Sequence, residues 1–217
     1  MNWYEILFLA VYACLTLALI LLKICKIGRK RRGVVKMLTS VAFVAVGVLG
    51  MVQNGGLTIL GCVGLFFASL GDLFLIFSGS RKWFLCGVMS FFVASVLLSA
   101  YSLANFGFVW WALVVFVLLN VGNVLCQKFN VYSYGKNKLY LNLYFIAVSL
   151  CGSLGLSLLC QGSPVSAVVF GLGCFCYFAS DMFLGLFLFK FRNRVIDSVN
   201  SLLYFPGMLL VAIGLLL

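Results

Sequence analysis

Eight apolar runs, each close to the length of a membrane-crossing helix, occupy almost all of this 217-residue chain. An α-helix needs about 20 apolar residues to cross a hydrocarbon core of about 30 Å. Only 9% of the residues are charged, which excludes an ordinary soluble domain. We therefore predict an all-α polytopic membrane protein, in which about eight transmembrane helices form one bundle and a single domain over residues 1–217. The predicted spans are 3–22, 37–53, 57–77, 83–104, 106–127, 139–160, 164–189 and 198–217.

The fifteen basic residues lie in alternate loops between these spans. Seven fall within 23–36 and the others within 81–82, 128–138 and 190–194, whereas the remaining loops and both termini have none. Because basic loops stay in the cytoplasm, we expect both termini on the outer side of a bacterial cytoplasmic membrane. The net charge of +11 then reflects orientation and contact with membrane lipids, and no nucleic-acid partner is expected. The run 29–32 is interpreted as an orientation signal, with lipid recruitment as the alternative.

The nine cysteines show no metal-binding or disulfide pattern, because none are spaced as C-x-x-C and most lie inside the predicted spans. The chain has no histidine, so we expect no zinc site, and no other metal or cofactor. Packing as small apolar residues explains the cysteines. The first span lacks the basic start and small-residue cleavage site of a signal peptide, so we expect it to be retained.

Two of the four acidic residues, Asp72 and Asp181, lie inside predicted spans. Their surroundings are alike, with Gly-Asp-Leu-Phe-Leu around the first and Ser-Asp-Met-Phe-Leu around the second. An aspartate at a helix centre costs about 2.5–3.5 kcal/mol on insertion scales, and apolar residues in the same span offset this at about 0.3–0.6 kcal/mol each. A helix that contains either aspartate can therefore still insert into the membrane, but insertion gives no reason for an aspartate to be present there. We predict a functional role; the alternative is a hydrogen bond that only joins neighbouring helices.

The two aspartates are expected at the same depth in the bilayer. Asp72 lies nine residues before Arg81, and Asp181 lies nine before Lys190, on helices that run in the same direction. At 1.5 Å per residue, each carboxylate is about 14 Å from its basic residue, in the cytoplasmic half of the membrane. If both share a cavity, like-charge repulsion and desolvation leave one protonated and the other ionised. General acid–base hydrolysis uses this arrangement.

Weaker candidates lie on the same helices or near the ends of spans. Gly64, Ala68 and Asp72 form a stripe that lets a neighbouring helix approach closely. Lys36 opens the second span, where it meets a lipid phosphate or simply extends to the interface. Amides of the fifth span share one helical face but also serve as interhelical hydrogen-bonding groups, and tyrosines near span ends also serve as interfacial anchors. The predicted substrate-binding residues are Lys36, Ser95, Asn120, Asn123, Tyr177 and Tyr204.

Five short segments occur in a fixed order along the chain, at 36–39, 70–75, 84–95, 179–181 and 203–205. Their order and spacing make the chain resemble the lysoplasmalogenase-like (YhhN) family over nearly its whole length. Lys-Met-Leu-Thr at 36–39 is similar to the family's K-P-L-T at the start of its second helix. Leu-Gly-Asp-Leu-Phe-Leu at 70–75 resembles its L-G-D motif, and 84–95 resembles its F-x-x-G…F-x-x-[AS]-H segment. Ala-Ser-Asp at 179–181 and Leu-Tyr-Phe at 203–205 resemble its S-D and Y-[YF] motifs.

The chain departs from the family pattern at three places. Met37 replaces the proline of the first motif, and Pro206-Gly207 stands where a small-polar pair is usual. Ser95 occupies the position at which many members have histidine. If that histidine were essential, this chain would be inactive or would use another proton donor. Its absence shifts the expected chemistry onto Asp72 and Asp181.

The resemblance implies hydrolysis of the vinyl ether bond of lysoplasmalogens, which releases a fatty aldehyde and a glycerophospho-headgroup. Proton transfer to the alkene carbon gives an oxocarbenium-like cation, and water then adds to form a hemiacetal that collapses to the aldehyde. One protonated and one ionised aspartate suit these steps, so Asp72 and Asp181 are the predicted catalytic pair, with neither role assigned. The expected partners are a lysophospholipid substrate and membrane lipids; the headgroup and the oligomeric state are not predicted.

Two other functions fit parts of the sequence. Paired intramembrane acids also occur in proton relays, so the main alternative is a proton-coupled carrier or flippase for a lipid or small amphiphile. Such carriers have broken helices near the midplane, whereas Pro206 is the one proline clearly inside a span. The third function is a non-catalytic helix bundle, in which asparagine at either aspartate position would be nearly harmless.

Overall fold

The computed structural model is helical throughout most of the residues that it describes, which are 3–25, 28–77, 79–160, 164–191 and 193–217. Within these ranges eight helices are long and apolar enough to cross a membrane, and no strand occurs. The prediction of an all-α polytopic bundle with about eight spans is therefore confirmed. The helices are α1 (Trp3–Ile24), α2 (Arg29–Asn54), α3 (Thr58–Ile76), α4 (Arg81–Phe106), α5 (Trp110–Lys128), α6 (Lys138–Leu159), α7 (Val165–Phe189) and α8 (Arg194–Leu216), with a single 3₁₀ turn at Gly135–Asn137.

Three helices begin four or more residues away from the predicted spans: α2, α5 and α8, of which α8 begins at Arg194 rather than at 198. Helix α2 begins at Arg29 rather than at 37, because arginine and lysine are good helix formers and extend the helix beyond its apolar part. The basic run 29–32 is thus the first turn of α2 and not a loop. Helix α5 begins at Trp110 rather than at 106, because α4 continues to Phe106 and Gly107, at φ +80°, ends it.

Contacts between helix ends define the two ends of the bundle. Lys23 near the end of α1 forms an ion pair of 2.5 Å with Asp197 near the start of α8. At the other end, Asn54 at the end of α2 donates a hydrogen bond of 2.9 Å to a carbonyl at the end of α8. We call the first the basic end, because the loops with the basic residues lie there. Two of those basic residues, Lys26 and Arg192, are outside the described ranges.

Six of the helices form a closed ring in the order α2, α3, α4, α6, α7 and α8, each packed against the next and α8 against α2. Helix α1 packs on the outside of the ring against α2 and α8, and α5 packs on the outside against α6. In this order α3 and α7 stand on opposite sides of the ring. The two helices that contain the intramembrane aspartates therefore face each other across its interior.

Small residues bring the aspartate helices close to their neighbours. Gly173 of α7 lies against α8 so closely that a Cβ there would be 2.5 Å from the Val211 nitrogen. On α3, Gly64 and Ala68 are buried, and a Cβ on Gly64 would be 3.1 Å from the Leu98 side chain of α4. Gly64 of the predicted stripe thus packs against α4, whereas the Asp72 carboxylate contacts α2 and α8. These contacts fix both helices, and with them the positions of the two carboxylates.

Large apolar side chains cover much of the outside of the bundle. Val52 and Trp110 are each 73% exposed, and Leu118 is 65% exposed. Hydrocarbon chains solvate such side chains, whereas in water a surface of this kind would aggregate. The outside of the bundle therefore agrees with an integral membrane protein.

Candidate active site

Both intramembrane aspartates line one cavity of about 470 Å³ that lies inside the ring, toward its basic end. Asp72 is 1% exposed and Asp181 is 9% exposed. Five of the six ring helices, namely α2, α3, α4, α7 and α8, line this cavity, and α1 contributes to its lining from outside the ring. The two aspartates thus share one cavity, which is the condition on which the predicted acid–base pair depends. We call this space the polar cavity, because its lining includes both carboxylates and several basic side chains, beside apolar ones.

Three donors hold the Asp72 carboxylate. The Lys36 ammonium lies 2.9 Å from Oδ1. The hydroxyls of Ser40 and Tyr204 donate to Oδ2 over 2.6 and 2.9 Å. Lys36 and Ser40 are one turn apart on α2, and Tyr204 comes from α8, so three helices meet at this carboxylate. Of these partners Lys36 and Tyr204 are among the residues predicted from the sequence, whereas Ser40 is not, although it lies four residues after Lys36 on the same helical face.

Asp181 has a much poorer set of partners. The Tyr144 hydroxyl of α6 donates a short hydrogen bond to Asp181 Oδ2. Among the side chains that the structure describes, no ammonium or guanidinium group forms an ion pair with Asp181. Tyr144 is not one of the predicted site residues, because nothing in the sequence separates it from the other tyrosines near span ends.

A line of hydroxyl groups continues from Tyr144 into the core. The Tyr144 and Tyr177 hydroxyl oxygens are 3.4 Å apart, and the Tyr177 hydroxyl is 3.1 Å from Ser95 Oγ. Ser95 in turn donates to the Phe91 carbonyl over 2.9 Å. Tyr177 and Ser95, two of the predicted residues, are fully buried and form the wall behind Tyr144. Among the described side chains, neither of them forms a hydrogen bond with the Asp181 carboxylate, and the hydroxyl line reaches it through Tyr144.

A second cavity, of about 390 Å³, lies between α4, α5, α6 and α7. Leucine, valine and phenylalanine side chains make up most of its lining, so we call it the apolar cavity. Asp181 lines both cavities, together with the apolar side chains of Leu75, Phe84 and Phe91. Of these two cavities, Asp72 lines only the polar one. The two aspartates therefore differ in position as well as in partners.

Asn123 of α5 lines the apolar cavity, as Asp181 does. Its Oδ1 accepts hydrogen bonds from the hydroxyls of Tyr132 and Tyr134 over 2.5 and 3.2 Å, and from Gln127 over 3.2 Å. Burial raises the pKa of both loop tyrosines, so their hydroxyls stay protonated and able to donate. Asn123 thus anchors the loop between α5 and α6 over one end of the apolar cavity.

Asn120 lies elsewhere. Its amide donates to Ser149 Oγ of α6 over 2.9 Å and to the Phe116 carbonyl over 2.8 Å. In the described part of the chain, Asn120 is absent from the lining of both cavities. The shared face of Asn120 and Asn123 therefore packs on α6, and only Asn123 reaches a cavity.

Several polar residues that line this cavity were not predicted as site residues, and two of them lie near the aspartates or their partners. Arg32, in the first turn of α2, lines this cavity one turn before Lys36. Asn200 of α8 lines it as well and donates to the Ser180 carbonyl over 2.9 Å, next to Asp181. The sequence signal for Arg32 was its position four residues before Lys36, which the interpretation of 29–32 as an orientation signal obscured. No group of three or more Cys, Asp or Glu side chains placed to hold a metal ion occurs among the described residues.

This geometry combines two carboxyl groups with different partners in one cavity. A carboxylate has about four lone-pair positions, and three donors leave Asp72 one position for a further contact. Asp181, at the border of an apolar cavity, has one described hydroxyl donor. Such a pair can deliver a proton at one point and receive one at another, without either side chain leaving its place.

Comparison with known proteins bears on the family alone. No curated protein and no solved structure matches the chain. A model of the YhhN family matches residues 31–215. The matched range includes the two aspartates and every partner of their carboxylates described above. Because this range is most of the sequence, the resemblance seen in the motifs is confirmed, and the chain belongs to the YhhN family.

Proposed function

We propose that the protein hydrolyses the vinyl ether bond of a lysoplasmalogen, a single-chain phospholipid, and releases a fatty aldehyde and a glycerophospho-headgroup. One observation carries the proposal: Asp181 lies where an apolar cavity meets a polar cavity, and Asp72 lines the same polar cavity. In a lysoplasmalogen the vinyl ether is the group that joins the apolar chain to the polar glycerol. Membership of the YhhN family supports the same reaction class.

The substrate fits the two cavities in one orientation. Its hydrocarbon chain occupies the apolar cavity between α4, α5, α6 and α7, where phenylalanine and leucine side chains surround it. Its glycerol and phosphate occupy the polar cavity, which opens toward the basic end. The vinyl ether then lies beside Asp181. The opposite orientation would bury a charged phosphate among apolar side chains, at a cost of several kcal/mol.

Asp181 is the proton donor in this proposal. Its carboxyl group has no described cation beside it and borders apolar side chains, a setting that suits a neutral acid. It transfers its proton to the alkene carbon that does not bear oxygen. The electron pair of the double bond forms the new C–H bond, and the adjacent carbon becomes part of an oxocarbenium ion. Tyr144 holds the Asp181 carboxyl in place for this transfer.

Asp72 is the carboxylate of the pair. It stabilises the oxocarbenium ion across the shared cavity, and its free lone pair accepts a proton from the water that attacks. The resulting hemiacetal collapses: its hydroxyl proton passes to the departing glycerol oxygen, the C–O bond breaks, and the aldehyde forms. The proton that Asp72 has taken returns to Asp181 across the polar cavity. The net reaction consumes one water.

The remaining predicted residues have supporting roles in this scheme. Lys36 and Tyr204 keep Asp72 ionised and oriented. Tyr177 and Ser95 hold the Tyr144 hydroxyl from behind. The scheme also places the basic end in the cytoplasm of a bacterial cell, as the positive-inside rule predicts, so that the headgroup enters from the cytoplasmic leaflet.

The alternative of a proton-coupled carrier gains no specific support. Carriers bind substrate between discontinuous helices near the midplane. The described helices α3 and α7 run unbroken through Asp72 and Asp181, and α8 continues through Pro206. Hydrolysis therefore remains the proposed function.

Aldehyde release by the purified full-length chain tests the proposal. The detergent-solubilised protein is given a lysoplasmalogen and, separately, the analogue with a saturated ether in place of the vinyl ether. We expect aldehyde from the vinyl ether alone, and release at least about 10²-fold slower from the folded Asp72→Asn and Asp181→Asn variants. Asn105→Asp, an equal-sized exchange at the end of α4 away from the basic end, is the matched control and should stay active. No aldehyde from folded wild-type protein, or full activity of Asp181→Asn, would refute the proposal.

A further inference from the structure

Not every described basic side chain that lines the polar cavity has an acidic partner. Of its described basic residues, Lys23 is paired with Asp197 and Lys36 is paired with Asp72. The third, Arg32, also lines the cavity, and no described carboxylate forms an ion pair with its guanidinium. Arg32 is therefore the basic side chain of this cavity whose charge is not already used by a protein partner.

The Arg32 side chain also has an unused hydrogen-bond donor. Its Nε is buried, and no described residue accepts a hydrogen bond from it. A buried donor without a partner costs about 1–3 kcal/mol, and more when it belongs to a charged group. Native proteins rarely keep such a group without a ligand or functional reason. The guanidinium thus offers both a charge and a donor to a molecule that enters the cavity.

We infer that Arg32 binds the phosphate of a single-chain phospholipid and so distinguishes phospholipid substrates from uncharged ether lipids. This inference rests on the proposed function for the identity of the lipid, and it assigns to Arg32 the role that the sequence suggested for Lys36. Because Lys36 is held by Asp72, it serves the carboxylate instead of the phosphate.

The spacing along α2 agrees with this assignment. Arg32, Lys36 and Ser40 follow one another at intervals of four residues, so they lie on one face of the helix. Each step is about 6 Å along the axis. Since α2 begins at the basic end, Arg32 lies about 6 Å nearer to that end than Lys36 does. In the proposed orientation the phosphate is separated from the vinyl ether by the glycerol and lies on this same side of the aspartates.

The chemistry of the guanidinium suits a phosphodiester. Its planar array of N–H groups can donate two parallel hydrogen bonds to two phosphate oxygens, which an ammonium group cannot do. A guanidinium is also less strongly hydrated than an ammonium group, so it loses less on entering an enclosed cavity. Choline and ethanolamine headgroups would lie beyond the phosphate, toward the loops of the basic end.

Binding of two lipids that cannot be hydrolysed tests the inference independently of catalysis. The full chain, in a detergent without phosphate, is titrated with a 1-O-alkyl lysophosphocholine and with the matching 1-O-alkylglycerol, and thermal unfolding reports the dissociation constants. For Arg32→Gln we expect affinity for the phospholipid to fall about tenfold to a hundredfold, as for a lost charge-assisted hydrogen bond, and affinity for the alkylglycerol to stay unchanged. Arg31→Gln, which removes an exposed charge from the same turn, should alter neither constant.

Several outcomes would overturn the inference. Equal affinity of Arg32→Gln and wild type for the phospholipid, or an equal loss for both lipids, would show that Arg32 does not bind the phosphate. Inorganic phosphate that stabilises the wild type but not Arg32→Gln, at the concentrations at which the lipid acts, would assign the site to free phosphate. If Arg32→Gln does not fold, Arg32→Lys replaces it: a loss of several-fold for the phospholipid alone supports the inference, and unchanged affinity for both lipids refutes it.

The same titrations separate this inference from the proposed function. Wild-type protein that releases no aldehyde, but whose preference for the phospholipid depends on Arg32, would refute the hydrolase and support the phosphate site. Wild-type protein that releases aldehyde, but whose lipid preference does not depend on Arg32, would support the hydrolase and refute the phosphate site.

Discussion

The surroundings of Asp72 and Asp181 differ far more than their sequences do. Both aspartates follow a small residue, precede similar apolar residues and line one cavity. Asp72 is held by an ammonium group and two hydroxyls that come from α2 and α8, whereas Asp181 is held by one hydroxyl from α6 and borders an apolar cavity. The chemical role of an intramembrane acid is therefore decided by its neighbours on other helices, and not by the motif around it.

The two sets of partners also suit different charge states of a carboxyl group. Placing a charge inside a membrane is costly, so a carboxylate needs a cation and further donors, as Asp72 has. A carboxylic acid that keeps its proton needs no cation and fewer hydrogen-bond donors. Asp181 has one described hydroxyl donor and no described ion pair. The unequal partners of two acids in one cavity are what a hydrolase with separate acid and base requires.

The largest effect is expected from Asp181→Asn. An amide cannot deliver the proton, so kcat for aldehyde release should fall by about 10²–10⁴, the usual contribution of a general acid. The amide can still accept a hydrogen bond from Tyr144, so the midpoint of thermal unfolding should change little. Kinetics and thermal unfolding of the same preparation check both parts. If Asp181→Asn lost as much stability as Asp72→Asn, which removes the partner of Lys36, the two aspartates would not differ in how strongly their partners hold them.

Asp72→Asn should destabilise the protein as well as inactivate it, because Lys36 loses its partner inside the ring. Breaking a buried pair from one side costs about 3–5 kcal/mol, and we expect the lower part of this range since the Lys36 side chain is 23% exposed. The double variant Lys36→Met with Asp72→Asn should recover much of that stability while remaining inactive. Thermal unfolding of the two single variants and the double variant measures the coupling. Additive losses would show that the pair is not coupled.

The hydroxyl partners should also differ in importance. Tyr144→Phe removes the one described donor of Asp181, and kcat should fall about tenfold to a hundredfold, as expected for a hydrogen bond to a charged or acidic group. Tyr204→Phe removes one of three donors of Asp72, so its effect on kcat should be below tenfold. Steady-state kinetics on the two phenylalanine variants compares them directly. A larger effect at Tyr204 would reverse the proposed ranking of the two sites.

The smallest effect is expected away from both cavities. Asn120→Ala removes a hydrogen bond between α5 and α6 and should lower stability by about 1 kcal/mol without changing kcat. This variant tests the limits of the site, because Asn120 was predicted to bind substrate. Loss of aldehyde release from folded Asn120→Ala would extend the functional site to α5.

The sequence predicted the fold well because a bilayer imposes a simple rule. Every span must satisfy its backbone hydrogen bonds internally and stay apolar, so helix number and approximate length could be read directly. The cavity that Asp72 and Asp181 share agrees with the equal depth predicted from the constant helix rise and the equal distance of each aspartate from a basic residue.

The partners of the two aspartates could not be predicted in the same way. Tyr144 and Asn120 look alike in the sequence, as polar residues within apolar spans, yet one contacts Asp181 and the other joins two helices. Which residues meet depends on the order of helices in the ring and on their rotation, and both are set by packing between helices. Ser40 and Arg32 are the exceptions: their spacing of four residues from Lys36 places them on its helical face.

Infrared spectroscopy of the carboxyl groups tests the central claim most directly. The chain has four acidic residues, so the carbonyl stretch of a protonated carboxylic acid can be assigned by substitution. For the folded full-length protein at neutral pH, we predict one such band, present in the wild type and in Asp72→Asn but absent from Asp181→Asn. A band that disappears in Asp72→Asn and persists in Asp181→Asn, or no band in the wild type, would contradict the assignment of Asp181 as the acid and Asp72 as the carboxylate.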